Sequence, residues 1–567
     1  MEEAGVFARG ESFHPMRILP LASLAALAGF SFATTAVAQV PSAQTLTPNL
    51  SGRIDRPLRY RPEGDTFVIE NGQEYFNRPL YGGNTAFRVD AGDRPEFSLY
   101  LPGRGGNLRF GLRSPTGTIW LQDAKNIVSR YRPGEMLYEI RDPILGTQGR
   151  LQIAVVALPM TDGVIVRLEP GAIPAGVELL WAYGGVTGQR GTRDGDIGTE
   201  RVPIGEYFQL KPEFCRDNAF TLGSDTFTLS SKVAHIQGSV PTGAQLRIGD
   251  ANHWGSASAL FAAPVAATTP EFPVVIGTVA LTARTEVHLA LQRISAETPT
   301  AGSDLATYRE VTAERPGVTR TPNTSYPLLP AFATADLARV YGESAAHFAV
   351  LRQHMTVETP DPYLNAAVAA LNVGADAVWD EPQRAIMHGA IAWRTKLLGW
   401  RGPYSLDALG WAERARSHYT YWAGRQNTDP IPPALPPPDA NANLARSETA
   451  LHSNGDMSNS HYDMNAVYID ALFRHLAWTG DLEFARQLWP VIERHLAWER
   501  RLFRREFGPD KLPLYEAYAM IWASDDLQYH GGGAAHASAY NYFHNVQAAR
   551  WPGSSATTVP RTNVKPA

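Results

Sequence analysis

The chain has 567 residues, of which 44% are hydrophobic and 19% are charged, so it is long enough for two or more folded domains. Its net charge of −5 is small and unclustered, which argues against a nucleic-acid-binding surface or attraction to an anionic membrane. Cys215 is the only cysteine, so no disulfide can form within the chain.

The N-terminal segment predicts export. From Met16 onward a basic residue is followed by an apolar stretch over residues 18–32 and then by the small residues Ala-Val-Ala at 36–38. This order is typical of a secretory signal peptide, and the apolar stretch is shorter than the roughly 20 residues of a membrane span. We expect a signal peptide at about Met16–Gln39, preceded by an upstream extension, and a secreted or periplasmic protein without stable membrane insertion. An uncleaved anchor is the alternative.

Residues 40–330 predict an antiparallel β-sandwich. Apolar and polar residues alternate in short runs that are bounded by Gly, Pro, Asn or Asp, as half-buried strands require. Many such strands without helical periodicity between them indicate two packed sheets. The clearest runs are residues 95–103, 149–159, 163–171, 225–231 and 285–294. An Ala- and Pro-rich stretch at about 250–275 predicts loops.

After residue 330 the apolar period changes to that of a helix. Residues 331–360 predict a linker helix, and Asp361 followed by Pro362 predicts the capped start of the next helix. The apolar face predicted for that helix consists of Leu364, Ala367, Val368, Leu371, Ala375 and Val378. Further helices are predicted at about 406–425, 461–478, 479–503 (capped by Asp481) and from 535 to 550.

Long helices joined by elaborate loops favour a partial α/α toroid over residues 361–551. The final residues, 552–567, are rich in Pro, Ser and Thr and lack apolar periodicity, which predicts an unstructured tail. We interpret this tail as the product of a frameshift or truncation. The predicted fold class is therefore β + α multidomain, with the sandwich first and the helices second.

Two long motifs carry a resemblance to a known group of proteins. They are HGAIAWRTKLLGWRGPYSLDALGW at 388–411 and WASDDLQYHGGGAAHASAYNYF at 522–543. With the order sandwich, linker helix and helical barrel, the chain resembles an uncharacterised bacterial family, a domain of unknown function, within the six-hairpin (α/α)6 glycosidase superfamily. The resemblance implies a glycosidase-like fold and hydrolysis of glycosides. A complete barrel of this kind has six helical hairpins, so we expect this chain to lack part of it.

The resemblance also points to catalytic residues. Glycoside hydrolysis commonly uses two carboxyl groups, one to protonate the leaving oxygen and one to activate water or attack carbon. By resemblance to six-hairpin glycosidases, whose general acid lies in a Trp- and Gly-containing loop, Asp525 or Asp526 is the acid candidate. Glu516 is a candidate for catalysis or for a sugar contact. Solvated or helix-capping roles remain open for Asp525 and Asp526, and a structural hydrogen bond remains open for Glu516. We expect the partner base in a hairpin that this chain lacks.

Segments 388–407 and 452–465, together with the loop of the acid candidates, supply candidate sugar-binding residues. Trp side chains stack on sugar faces, whereas Arg and Asp can each hold two hydroxyls or a carboxylate. For residues 388–407 the alternative is a Trp-rich packing layer with arginines that pair across helices, and for residues 452–465 it is helix capping. The candidates are Trp393, Arg394, Trp400, Arg401, Asp407, His461, Asp463, Trp522 and Tyr529.

No cofactor is predicted. His461 and Asp463 are two residues apart, which is poor spacing for two metal ligands on one helical face. The predicted partner is a carbohydrate. The leading functional prediction is a glycoside hydrolase of polysaccharides or oligosaccharides, and the enzyme in its complete form would belong to the glycosidases. A polysaccharide lyase and a non-catalytic carbohydrate-binding protein are the alternatives.

Overall fold

The structure, a computed structural model, describes residues 58–101, 103–189, 204–264, 268–294, 329–381, 384–387, 389–390, 398, 403–430, 462–515 and 535–551. The predicted signal peptide and the predicted C-terminal tail lie outside these residues. Arg59 and the described residues after it belong to one structural unit, in which antiparallel sheets come first and helices second.

The larger sheet has ten described strands, all paired antiparallel, in the order β1-β2-β8-β9-β10-β11-β18-β15-β14-β13. β10, β11, β14 and β18 confirm runs that the sequence predicted. The strands are β1 (Arg61–Glu63), β2 (Thr66–Glu70), β8 (Asn126–Arg132), β9 (Glu135–Arg141), β10 (Leu151–Ala157), β11 (Gly163–Pro170), β13 (Ala219–Leu222), β14 (Thr226–Ser230), β15 (His235–Ser239) and β18 (Val287–Ile294).

The second sheet has eight described strands in the order β16-β17-β12-β6-β5-β4-β3, with β7 paired to β6 beside this path. β5 confirms the remaining predicted run. The strands are β3 (Arg78–Tyr81), β4 (Arg88–Ala91), β5 (Glu96–Tyr100), β6 (Arg104–Ser114), β7 (Gly117–Trp120), β12 (Glu178–Val186), β16 (Gln245–Asp250) and β17 (Pro273–Ala280).

One apolar core lies between the two sheets, as the alternating sequence pattern predicts. On β5, Phe97 and Leu99 are buried in this core together with Val155 of β10 and Val166 of β11, which belong to the other sheet. Residues one position along the strand point to the opposite face, because side chains alternate across a strand. The outer face of each sheet therefore needs its own cover.

Helix α3 (Leu337–Arg352) covers the outer face of the larger sheet. Leu337, Val340 and Phe348 pack there against Val156 and Ile165 of the strands. The linker helix predicted at 331–360 is thus confirmed as a helix, and it contributes to the cover of the sandwich.

Helix α1 (Ile204–Tyr207) and helix α2 (Ala257–Ala262) lie on the side of the smaller sheet. The prediction of loops at 250–275 is wrong in part, because α2 and the start of β17 fall within this range. Ser256 begins α2 by accepting a hydrogen bond from the backbone N–H of Ala259 at 3.2 Å. Leu260 and Phe261 then pack with Trp120 in an apolar cluster on the outer face.

The helical region follows α3. Its helices are α4 (Pro362–Ala377), α5 (Tyr404–Ala408), α6 (Ala412–Ala423), α7 (Tyr462–Thr479), α8 (Leu482–Leu502) and α9 (Ala535–Arg550). Apolar residues of α5, α6, α7 and α8 form its core, together with Ala548 of α9. Two small hairpins accompany them, β19 (Trp379–Asp380) with β20 (Ala385–Ile386) and β21 (Arg504–Phe507) with β22 (Leu512–Tyr515).

Most of the predicted helices are confirmed, but two details are wrong. The helix predicted at 406–425 is divided into α5 and α6, because the chain turns at Gly410 with a φ of 75°. The face predicted for α4 is exposed at Leu364 (55%) and Leu371 (62%), whereas Ala366 and Val373 are buried. The predicted toroid is not shown by the described helices, and it remains a prediction.

Candidate functional site

Most of the predicted site residues lie outside the part of the chain that the structure describes. Asp407 lies in α5 and is fully described, whereas Asp463 lies in α7 without a described side chain. The residues outside are Asp525, Asp526, Glu516, Trp393, Arg394, Trp400, Arg401, His461, Trp522 and Tyr529.

The segments that carry these residues lead into three helices that the structure does describe. Residues 388–402 precede α5, residues 452–461 precede α7, and residues 516–534 precede α9. Both α5 and α9 pack against α7. From Asn465 to Phe473 every residue of α7 is buried, which identifies α7 as the central helix of the three.

Asp407 is buried against a histidine. Its side chain is 6% exposed, and its Oδ1 lies 2.7 Å from Nδ1 of His475 on α7, whose side chain is 2% exposed. The rings of Tyr419 and Phe484 lie 5.0 and 5.6 Å from the imidazole. A buried carboxylate needs such a partner, because an unpaired charge in an apolar surrounding is costly. One oxygen of Asp407 is therefore occupied by the protein itself.

A second carboxylate of α7, Asp470, connects two helices. It is buried and accepts a hydrogen bond from the Tyr404 hydroxyl of α5 at 3.1 Å. Burial and the adjacent Asp470 carboxylate raise the pKa of Tyr404 above its ordinary value, so this hydroxyl keeps its proton. Asp470 also accepts from Nε of Arg474 at 2.7 Å.

Arg474 links this network to α9. Its guanidinium lies 5.6 Å over the ring of Phe543, and its side chain is 59% exposed although its partner Asp470 is buried. The hydrogen bond to Asp470 raises the pKa of Arg474, which remains charged. One polar network therefore joins Tyr404, Asp470 and Arg474, and it contacts α9 at Phe543.

Four polar side chains face one another between α8 and α9. His495 Nε2 lies 3.8 Å from Glu499 Oε1, and Asn541 donates to the other oxygen of Glu499 at 2.9 Å. The ring of His544 lies 5.5 Å from that of His495, and all four side chains are buried. Burial lowers the pKa of His495 to about 3, and burial and His495 lower that of His544.

The helical region is attached to the sandwich by buried polar contacts. Asn84 precedes β4 and donates to Oδ2 of Asp376 on α4 at 3.0 Å, and Arg414 of α6 donates to Oδ1 of the same carboxylate at 2.7 Å. Asn372 of α4 donates to the backbone carbonyl of Arg352 of α3 at 2.9 Å, and the Arg352 guanidinium donates to Glu135 of β9 at 3.2 Å. These contacts fix α4 and α6, and through them α5 and α7, relative to the sheets.

The arrangement offers carboxylates, a tyrosine hydroxyl, imidazoles and an exposed guanidinium near the three helices. Such groups hold and transfer protons and bind hydroxyl or carboxylate groups. Within the described ranges, no group of three or more His, Cys, Asp or Glu side chains is placed to hold a metal ion.

The sequence alone did not identify Tyr404, Asp470 or Arg474 as site residues. One signal was present, because Asp470 and Arg474 are four residues apart and thus adjacent on a helix. A carboxylate within the otherwise apolar run 466–473 is a second signal, since buried acids are retained only with a partner. The partner Tyr404 comes from another helix, 66 positions away, and no local pattern indicates it.

The comparisons with known proteins concern the sandwich. Residues 101–312 match the family model described as Domain of unknown function (DUF4450). The matched range extends from the approach to β6 through β18, and the motifs at 388–411 and 522–543 lie outside it. No curated protein matches the chain. In the described part of the chain, no helix combines the length and apolar character of a membrane span. The sandwich is therefore similar to an uncharacterised domain family.

Proposed function

We propose that the protein is a glycoside hydrolase-like protein that acts on a polysaccharide or oligosaccharide. The observation that carries this proposal is the packing of α5 and α9 on α7. The segments preceding these three helices contain the acid candidates, the Trp-Arg pairs and the polar cluster at 452–465. Residues far apart in sequence are thus attached to neighbouring helices, as a site assembled from several loops requires.

Within this proposal the described carboxylates position other groups. Asp407 holds His475, and Asp470 holds Tyr404 and Arg474, so neither is assigned as the acid or the base. Asp525 or Asp526 protonates the leaving oxygen, which requires a carboxyl group that keeps its proton at the working pH. Glu516 contacts the sugar or takes part in catalysis.

The proposal is tested on a panel of polysaccharides and oligosaccharides, with release of reducing ends as the readout, using a form of the protein that supplies both catalytic carboxyl groups. We expect Asp525→Asn or Asp526→Asn to lower the rate by about a hundredfold or more, because general acid catalysis contributes about 10² to 10⁴. Asp510→Asn is the control, since Asp510 lies exposed between β21 and β22 and should leave the rate unchanged.

Other outcomes separate the alternatives. Hydrolysis that survives both substitutions removes the acid assignment. An unsaturated product that absorbs in the ultraviolet identifies a polysaccharide lyase. Binding without any turnover identifies a carbohydrate-binding protein, and neither binding nor turnover on the whole panel contradicts the proposal.

A further inference from the structure

One exposed strip of α7 combines a cation with an aromatic ring. The Arg474 side chain is 59% exposed and Trp478 is 67% exposed. Residues four apart on a helix are neighbours, with Cβ atoms about 5 to 6 Å apart. The spacing therefore places an exposed guanidinium and an exposed indole on the same face of α7. The guanidinium also lies over the ring of Phe543 of α9.

Among the described residues, Asp470 alone holds the guanidinium, and it does so from one edge. Its Nε and Nη2 donate to the two oxygens of Asp470 at 2.7 and 3.4 Å, and Asp470 is itself held by the Tyr404 hydroxyl. The described residues supply no acceptor for Nη1. The other edge of the planar fork, formed by Nη1 and Nη2, thus remains available for a second planar anion.

Arg474 differs in this respect from an ordinary surface ion pair. On α3, Arg339 pairs with Glu343 at the same four-residue spacing, but both side chains are exposed, at 57% and 64%. The Asp470 side chain is only 6% exposed. A fixed partner reduces the conformational entropy that Arg474 loses when it binds a ligand, because its orientation is already set.

We propose that Arg474 and Trp478 bind an acidic sugar residue of the glycan. The carboxylate of a uronic acid accepts two hydrogen bonds from the free edge of Arg474, and the apolar face of the same or the adjacent sugar ring stacks on Trp478. The proposal rests on the proposed function for its ligand class, since only there is the ligand a glycan. It adds that the substrate is anionic.

The test measures binding by isothermal titration calorimetry with the full chain. The probes are a linear hexamer of galacturonic acid and the same hexamer with its carboxyl groups reduced to hydroxymethyl groups. We expect the acidic hexamer to bind at least about tenfold more tightly. Arg474→Gln should abolish this preference, and Trp478→Ala should weaken the binding of both hexamers. Arg339→Gln is the matched control and should bind as the wild type does.

The inference is overturned by equal affinity of the wild type for both hexamers, by an unchanged preference in Arg474→Gln, or by no binding of either hexamer. A thermal melt of each variant shows whether it is folded. Hydrolysis of panel glycans without a preference for acidic sugars leaves the proposed function standing and removes this inference. Binding of the acidic hexamer through Arg474 without any hydrolysis supports this inference and removes the proposed hydrolase function.

Discussion

The contact between Asp407 and His475 shows how a buried acid is accommodated in the helical region. The carboxylate is enclosed by α5, α6 and α7 and lies 2.7 Å from an imidazole nitrogen. The segment 388–407 predicted Asp407 as a sugar-binding residue, and this role remains a prediction. The contact with His475 joins positions 68 apart in the chain, so no helical spacing could have indicated it.

We expect Asp407→Asn to destabilise the fold by about 1 to 2 kcal/mol, because a charge-assisted hydrogen bond becomes a neutral one. Urea denaturation measures this change. Asp217→Asn is the control: Asp217 pairs with Lys232 on the exposed surface, and its removal should cost less than about 0.5 kcal/mol. If Asp407→Asn left stability unchanged but weakened glycan binding, the side chain would act mainly on the ligand.

At the level of single elements, helix α4 shows where sequence periodicity fails. It is rich in alanine, so its faces differ little in apolar character, and the predicted face is not the buried one. Polar anchors decide its orientation. Asn372 donates to the backbone carbonyls of Arg352 and Met355, and Asp376 binds Asn84 and Arg414. These partners come from α3, the sandwich and α6, which the sequence of α4 does not encode.

Helix α8 illustrates the opposite case, in which a local signal was sufficient. Asp481 was predicted as its cap, and its Oδ1 accepts from the Phe484 N–H at 2.9 Å while Oδ2 accepts from Arg416 of α6 at 2.7 Å. We expect Asp481→Ala to cost about 1 to 2 kcal/mol, most of it from the lost cap. Asp481→Asn keeps a capping oxygen and should cost less than half as much.

Urea midpoints followed by circular dichroism measure both Asp481 variants. Asp361→Ala, which removes the analogous cap of α4 at Tyr363, is the matched comparison. Equal losses for Asp481→Ala and Asp481→Asn would show that the ion pair with Arg416, and not the cap, stabilises this end of α8.

For the whole molecule, the buried imidazoles of α8 and α9 make stability dependent on pH. The pKa of His495 is lowered by burial to about 3, and that of His544 is lowered by burial and by His495. In the unfolded chain both titrate near 6.5. The stabilising contribution of the neutral rings is therefore complete above pH 6.5 and is lost as the pH falls from 6.5 toward 3.

For each of the two imidazoles that burial keeps neutral, we expect the free energy of unfolding to fall by about 2 kcal/mol when the pH is lowered from 8 to 5. His544→Phe places a ring that cannot be protonated beside Phe473 and Tyr540, and should remove about half of the loss due to this pair. Denaturation curves at pH 8, 6.5 and 5 test this expectation. His253→Gln alters an exposed imidazole and should keep the wild-type dependence. An equally steep loss in His544→Phe would contradict the assignment.

Local sequence patterns were sufficient to predict the order of the two regions, five strands of the sandwich and most of the helices. This was possible because strand alternation, helical period, caps and glycine turns are properties of neighbouring residues. Three features became apparent only in the packed fold: which face of α4 is buried, that α3 covers the larger sheet, and that Tyr404, Asp470 and Arg474 form one network. They depend on contacts between different elements, such as the Tyr404–Asp470 hydrogen bond across 66 positions, and such contacts exist only once the chain has packed.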